Sequence, residues 1–260
     1  MPGGRPADIG SLSPSVGSVP AMTVGAILDG DDTLWVTEPL YDIARAAAGA
    51  VVTAAGLDAS AWEAAQRTID VANVDILGLS AERFPTSCVQ AYERIAAEAG
   101  APISPDIAER VRFAAAAVFD DRAPLVEGAA DVLTALAARG PLALLTKGDP
   151  EVQAKRIADS GLAGHFTVVE IVAGKDAATF ASLSDRLGVA PADCWSIGNS
   201  LGSDIIPASE AGLRGIWIDA HVWEYERARQ GSGELPPRVL VAHRLLEVPG
   251  LLEQDTSPSA

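Results

Sequence analysis

Residues Val24 to Trp35 read Val-Gly-Ala-Ile-Leu-Asp-Gly-Asp-Asp-Thr-Leu-Trp. An apolar run of five stops at three carboxylates, Asp29, Asp31 and Asp32. A continuous apolar run closed by polar residues is the pattern of a strand buried on both faces, as in a parallel α/β sheet. The carboxyl ends of such strands are where open α/β sheets bind ligands. Folding has no use for this much like charge in one place, and repulsion raises at least one carboxyl pKa unless a cation neutralises the group. An Asp-x-Asp-x-Thr string still arises by chance in roughly one chain in ten of this length. Its meaning therefore depends on whether the rest of the chain supplies partners.

The remainder sets two contrasting rhythms. From Pro39 the pattern is helical: one helix to Gly56, a second from Ser60 through Asn73, a third carrying Phe84, Cys88, Tyr92 and Ile95, and a fourth from Pro105 past Val111. No strand-like alternation interrupts 37–123. From Pro124 the order becomes helix (128–139), strand (142–145), helix (150–160), strand (166–169), helix (176–187), strand (194–197), helix (to 210) and strand (215–218), with 239–241 as a last strand. That alternation argues for a parallel sheet covered on both faces by helices. The expected architecture is α/β, a three-layer Rossmann-like core (23–36 and 124–252) with an inserted all-helical cap domain (37–123). A Gly/Pro/Ser-rich leader (1–22) precedes it, Met22 being an alternative start, and a loose tail (253–260) follows.

Every apolar strand of the expected core ends in a polar group, and the groups are complementary. Asp29 and Asp31 follow the first, Thr146 and Lys147 the second, Lys175 the third, and Asn199, Ser200 and Asp204 the fourth. In a parallel sheet these ends share one edge, so residues far apart in sequence converge. In this order the chain resembles the haloacid dehalogenase superfamily of phosphohydrolases. The matching motifs are Asp29-Gly30-Asp31-Asp32-Thr33, Thr146, Lys175 and Gly198 to Asp204. The wording Asp-Asp-Thr-Leu-Trp, Thr-Lys-Gly-Asp and Gly-Asn-Ser-Leu-x-Ser-Asp resembles that superfamily's helical-cap phosphatases and nucleotidases.

The resemblance implies that Asp29 is the nucleophile and Asp31 the general acid and base, with Asp32 a structural turn residue. Thr146 and Lys175 would bind the phosphoryl group, and Lys147 would steer anions or lie in solvent. It also implies Mg²⁺, held by the Asp29 and Asp204 carboxylates, the Asp31 backbone carbonyl, and Asn199 either directly or through a water. Asn199 stands where the commoner residue is Asp. The substrate expected is a small phosphorylated metabolite, cleaved through an aspartyl-phosphate. Trp35, Arg83, Phe84 and Arg122 are candidates to face it, with core packing the stronger reading for Phe84.

Charge and composition narrow the alternatives. A net charge of −16 argues against a nucleic-acid polymer or an anionic membrane as partner. The most apolar helical stretch, 46–57, is too short to span a bilayer. Cys88 and Cys194 read as small buried hydrophobes in a reducing compartment, so a cytoplasmic protein is expected; oligomeric state is not readable. One rival motif is Gly198-Asn199-Ser200-Leu201-Gly202, a Gly-x-Ser-x-Gly elbow with Asp219 and His221 or His243 downstream, as in α/β-hydrolase esterases. That reading leaves Asp29, Asp31, Thr146 and Lys175 without a task. Within the resembling superfamily, 2-haloacid dehalogenases need neither a second motif Asp nor a metal, and phosphomutases share all four motifs.

Overall fold

The computed structural model describes residues 24–219 and 235–255. The expected leader, His221 and residues 256–260 lie outside them. Six parallel strands form one sheet in the order β3-β2-β1-β4-β5-β6. They are β1 Gly25–Leu28, β2 Leu142–Lys147, β3 Val168–Val172, β4 Cys194–Gly198, β5 Arg214–Ile218 and β6 Val239–Ala242. The chain builds outward from β1 to β3, then returns to the other side of β1 for β4. The strand order therefore reverses between β1 and β4, the place where ligands bind in such sheets.

Strand periodicity separates the two faces. Ala26, Leu28, Leu142, Leu144 and Ile197 pack on one side with α5 (Ala129–Ala137), Ile157 of α6 (Pro150–Ser160) and Leu252 of α9 (Val248–Asp255). Ile27, Ala143, Leu145 and Cys194 pack on the other with α7 (Ala177–Leu187) and α8 (Ile206–Glu210). A three-layer α/β architecture results.

Between β1 and α5 lie four helices: α1 Glu38–Ala54, α2 Ala59–Leu77, α3 Arg83–Glu98 and α4 Pro105–Ala116. They enclose an apolar cluster of their own, including Ala48, Val52, Trp62, Phe84, Tyr92 and Val111. The chain passes between this block and the sheet through a short two-stranded neck. Trp35 pairs with Leu125, and the Val36 amide donates to the Pro124 carbonyl at 2.8 Å. Among the described residues, no helix is long and apolar enough to cross a membrane.

Four details differ from the sequence expectation. β2 runs on through Thr146 and Lys147, paired to Ile171 and Val172, so Thr146 belongs to the strand and not to the turn after it. β3 begins at Val168, because Phe166 ends a short helical turn, its amide bonded to the Ala163 carbonyl, and only then joins the edge of the sheet. After β4 a π-helical turn, Leu201–Ile205, precedes α8, with the Asp204 amide bonded to the Ser200 carbonyl. Residues 253–255, expected to be loose, complete α9, where Asp255 pairs with Arg214.

Candidate active site

The cavity between the sheet edge and the helical block is lined by Asp29, Asp31, Thr146, Lys147, Lys175, Asn199 and Asp204 from one side, and by Tyr41, Arg45, Asp70, Arg83 and Phe84 from the other. Asp29, Asp31, Thr146, Lys175, Asn199 and Asp204 thus line one cavity. The register of the strands is the cause. Leu28 aligns with Leu144 and with Ile197, so Asp29 after β1, Asn199 after β4 and Thr146 within the last residues of β2 come to the same edge.

At the centre, the Lys175 ammonium donates to Asp29 Oδ1 at 2.5 Å and to Asp204 Oδ1 at 2.7 Å. All three side chains are nearly inaccessible to solvent. Burial is the main influence on Asp29 and pushes its carboxyl up to about 7; Lys175 opposes this and Asp204 adds to it. Burial by itself would lower the Lys175 pKa, but Asp204 and then Asp29 more than offset it and hold the ammonium above its usual range. One ammonium between two buried carboxylates leaves negative charge in excess.

Asp204 reaches this position because Gly198 has no side chain: a Cβ there would lie 2.3 Å from Asp204 Oδ2. That oxygen also accepts the Ser200 amide at 2.9 Å. The Ser200 hydroxyl meanwhile accepts the Ser203 amide at 3.2 Å as a turn cap. His243 sits on an exposed turn with its amide on Glu247 and does not line this cavity. Ser200 is therefore engaged in holding the acidic turn, which removes the support for an esterase elbow among the described residues.

Thr146 is buried, and its hydroxyl finds no hydrogen-bond partner among the described residues. A buried hydroxyl at the cavity wall with nothing to bond is costly unless a ligand satisfies it. Lys147 lies at the rim, its ammonium on Ser203 Oγ at 2.5 Å. Asn199 is buried, with Oδ1 3.5 Å from the Thr33 hydroxyl and its carbonyl accepting the Trp217 indole at 2.9 Å. Asp32 has φ +57° and points away from the centre. Its carboxylate accepts the Thr37 amide and hydroxyl, each at 2.8 Å, and so fixes the start of α1, the structural role expected for it.

The residues expected to face the substrate divide. Arg83 and Phe84 line the cavity; Arg83 is paired with buried Asp70, and Phe84 meets Tyr41 edge to face at 5.0 Å between ring centres. Trp35 does not line it. Its indole lies over Gly30, where a Cβ would be 2.4 Å away, and donates to Asp31 Oδ1 at 2.6 Å. Arg122 is exposed on the linker back to the sheet and takes no part, because the chain has by then left the helical block. Sequence reasoning missed Gln153 and Arg156 of α6, which both donate to Asp31 Oδ2, at 2.9 and 2.7 Å. The available signal was polar residues three apart on the face of α6 that also carries Ile157.

The donors at the centre are all oxygen: two carboxylates, the Asn199 amide and nearby backbone carbonyls. No three His, Cys, Asp or Glu side chains among the described residues are grouped to hold an ion alone. A hard cation that keeps several waters and takes one or two carboxylates, as Mg²⁺ does, fits such a set and the excess negative charge around it.

A model of the haloacid dehalogenase-like hydrolases matches residues 24–212, which spans β1 to β4, the neck and the helical block. The chain belongs to that family. It is 37% identical to the phosphoserine phosphatase of Thermus thermophilus over 119 residues, 43% of this chain and 48% of that one. The chain thus matches about half the length of this curated relative. A haloacid dehalogenase-like family hydrolase from Xanthomonas campestris superposes with a TM-score of 0.70 at 26% identity, covering 90% of this chain and 96% of that one. The L-2-haloacid dehalogenase of Xanthobacter autotrophicus shares the fold with a TM-score of 0.56 at 18% identity, covering 89% and 99%.

Proposed function

We propose that this haloacid dehalogenase-like hydrolase is a phosphatase that cleaves a small phosphomonoester through an aspartyl-phosphate. The observation that carries the reading is Lys175 held between Asp29 and Asp204, in a cavity also lined by a buried Thr146 whose hydroxyl has no partner among the described residues. A phosphate monoester hydrolyses very slowly unaided, so catalysis consists largely of positioning a nucleophile and neutralising oxygen charge. The similarity to a phosphoserine phosphatase supports the same class of substrate.

Asp29 attacks phosphorus as its carboxylate, forming an Asp29–phosphorus bond while the bond from phosphorus to the leaving oxygen breaks. Asp31 gives the leaving oxygen a proton, then accepts one from the water that attacks the phosphoryl-aspartate and restores Asp29. Thr146 donates its hydroxyl to a phosphoryl oxygen, and Lys175 balances charge on nucleophile and phosphate. Lys147, at the rim, offsets the repulsion that a chain of net charge −16 exerts on an anion. Asp29, Asp204, Asn199 and the Asp31 carbonyl are the groups that would hold Mg²⁺, which when bound supplies positive charge to the phosphoryl oxygens. The α1–α4 block acts in this reading as the cap that closes over the substrate and selects it. The substrate is a free metabolite and neither a nucleic acid nor a membrane component. Free, buried Cys88 and Cys194 suit the reducing cytoplasm.

The test is turnover of a panel of phosphomonoesters, with 2-chloropropionate alongside. Release of phosphate that stops with EDTA and returns with Mg²⁺ is expected. Asp29→Asn should lower it by about 10⁴-fold or more. Chloride release without metal, or a fully active Asp29→Asn enzyme, would overturn the reading.

A further inference from the structure

Asp31 is held in an unusual way for a group that must pass a proton in both directions. A carboxylate offers about four lone-pair positions, two on each oxygen. On Asp31, Oδ2 takes both Gln153 Nε2 at 2.9 Å and the Arg156 guanidinium at 2.7 Å, which fills it. Among the described residues, Oδ1 takes only the Trp35 indole, at 2.6 Å. One position on Oδ1 is left, and the Asp31 side chain is still 29% exposed toward the cavity. The donors are themselves fixed. Arg156 is buried, its guanidinium 6.0 Å from the Tyr41 ring centre, and Gln153 Nε2 is shared with the Lys147 carbonyl at 3.1 Å.

We propose that Gln153 and Arg156 are positioning residues that anchor Asp31 through Oδ2, so that its proton is exchanged with the leaving oxygen and with water at Oδ1 alone. The proposal rests on the reading of Asp31 as the acid and base. Anchoring one oxygen with two donors on a helix fixes the rotation of the carboxyl group. The remaining lone pair then keeps one direction into the cavity, which is what proton transfer to a positioned alkoxide needs. The donors come from α6, the helix that starts directly after the Thr146 strand. Phosphate binding and proton delivery are thereby tied to the same β2–α6 unit.

The signature is dependence on the leaving group. An alkyl ester needs its oxygen protonated as it departs, whereas p-nitrophenolate is a stable anion and leaves without help. The value of kcat/KM reports the first step alone, and is measured for full-length enzyme with an alkyl phosphate such as phosphoserine or glycerol phosphate, and with p-nitrophenyl phosphate. Arg156→Met should lose about 30-fold on the alkyl ester and less than about threefold on the aryl ester, with KM little changed. Gln153→Met should show the same selectivity at about fivefold, and Arg156→Lys should recover part of the loss. If Arg156→Met does not fold, Arg156→Lys and Gln153→Met carry the same comparison. Equal losses on both esters, or a change confined to KM, would overturn the proposal. Asp31→Asn separates the two layers of argument. If Asp31→Asn is selective for the alkyl ester and the α6 variants are not, only the anchoring role falls. If Asp31→Asn is itself unselective, the acid–base reading falls and takes this inference with it.

Discussion

The two walls of the cavity handle buried charge in opposite ways. On the sheet edge, Asp29, Lys175 and Asp204 come from three different strand ends and leave negative charge uncompensated. On the helical wall, Arg83 meets Asp70, and Arg45 meets Asp42 and, at 2.9 Å, Gln66, so charges are matched within the block. The first arrangement carries net charge; in the second the charges are paired, although Gln66 Nε2 and Asp70 Oδ1 have no hydrogen-bond partner among the described residues. In the proposed function, chemistry belongs to the wall whose charge is unbalanced, and the balanced wall gives the site its shape.

After the loss of Asp29 itself, removing the ammonium that bridges Asp29 and Asp204 should have the largest effect. Lys175→Met leaves Asp29 and Asp204 facing each other with no ammonium between them. Turnover should fall about 10³-fold, since a group aimed at developing charge in a buried site is lost. Steady-state kinetics at saturating Mg²⁺ checks this, and a loss under tenfold would make Lys175 a structural residue.

That wall was also the legible one. A parallel sheet brings every strand's carboxyl end to one edge, so the order of polar residues after apolar runs is enough to place Asp29, Thr146, Lys175 and Asp204 together. What stayed hidden depended on partners that strand order does not reveal. Gln153 and Arg156 lie on a helix, and nothing in their spacing says that the facing residue is Asp31. Arg83 was noticed, yet its pairing with Asp70 across α2 and α3 was not, because helix crossing sets such contacts and local sequence does not. Arg122 is exposed and does not line the cavity; a charged residue beside the neck looks the same in sequence whether it turns inward or out.

The balanced wall should respond in stability where the sheet edge responds in rate. Arg83 and Asp70 are each over nine-tenths buried. Arg83→Leu alone strands a buried carboxylate and should cost about 3–5 kcal/mol. Arg83→Leu with Asp70→Leu should recover most of that, because two apolar groups replace a pair that had to be desolvated. Urea unfolding of the single and double variants measures the coupling. In folded protein, kcat for p-nitrophenyl phosphate should stay within about tenfold of the parent, as these residues do not meet the phosphoryl group. A double variant as unstable as the single would mean that the pair is held by its surroundings and not by mutual compensation.

The smallest expected effect asks whether the sheet edge is short of positive charge even at rest. Burial raises Asp29 from its ordinary 3.8 to about 7 in the folded, metal-free protein. The folded state then binds a proton that the unfolded chain releases, so this group's stabilising contribution is complete below about pH 4 and disappears as pH rises through 7. Between about pH 5.5 and pH 7.5 the metal-free protein should lose about 2 kcal/mol from this source. Asp29→Asn, which cannot ionise, should lack that share of the slope. Added Mg²⁺ should flatten it too, because a cation favours the ionised carboxylate that high pH produces. If wild type and Asp29→Asn instead show the same pH dependence of unfolding, Lys175 already neutralises the edge. The contrast between the two walls would then be one of position and not of charge.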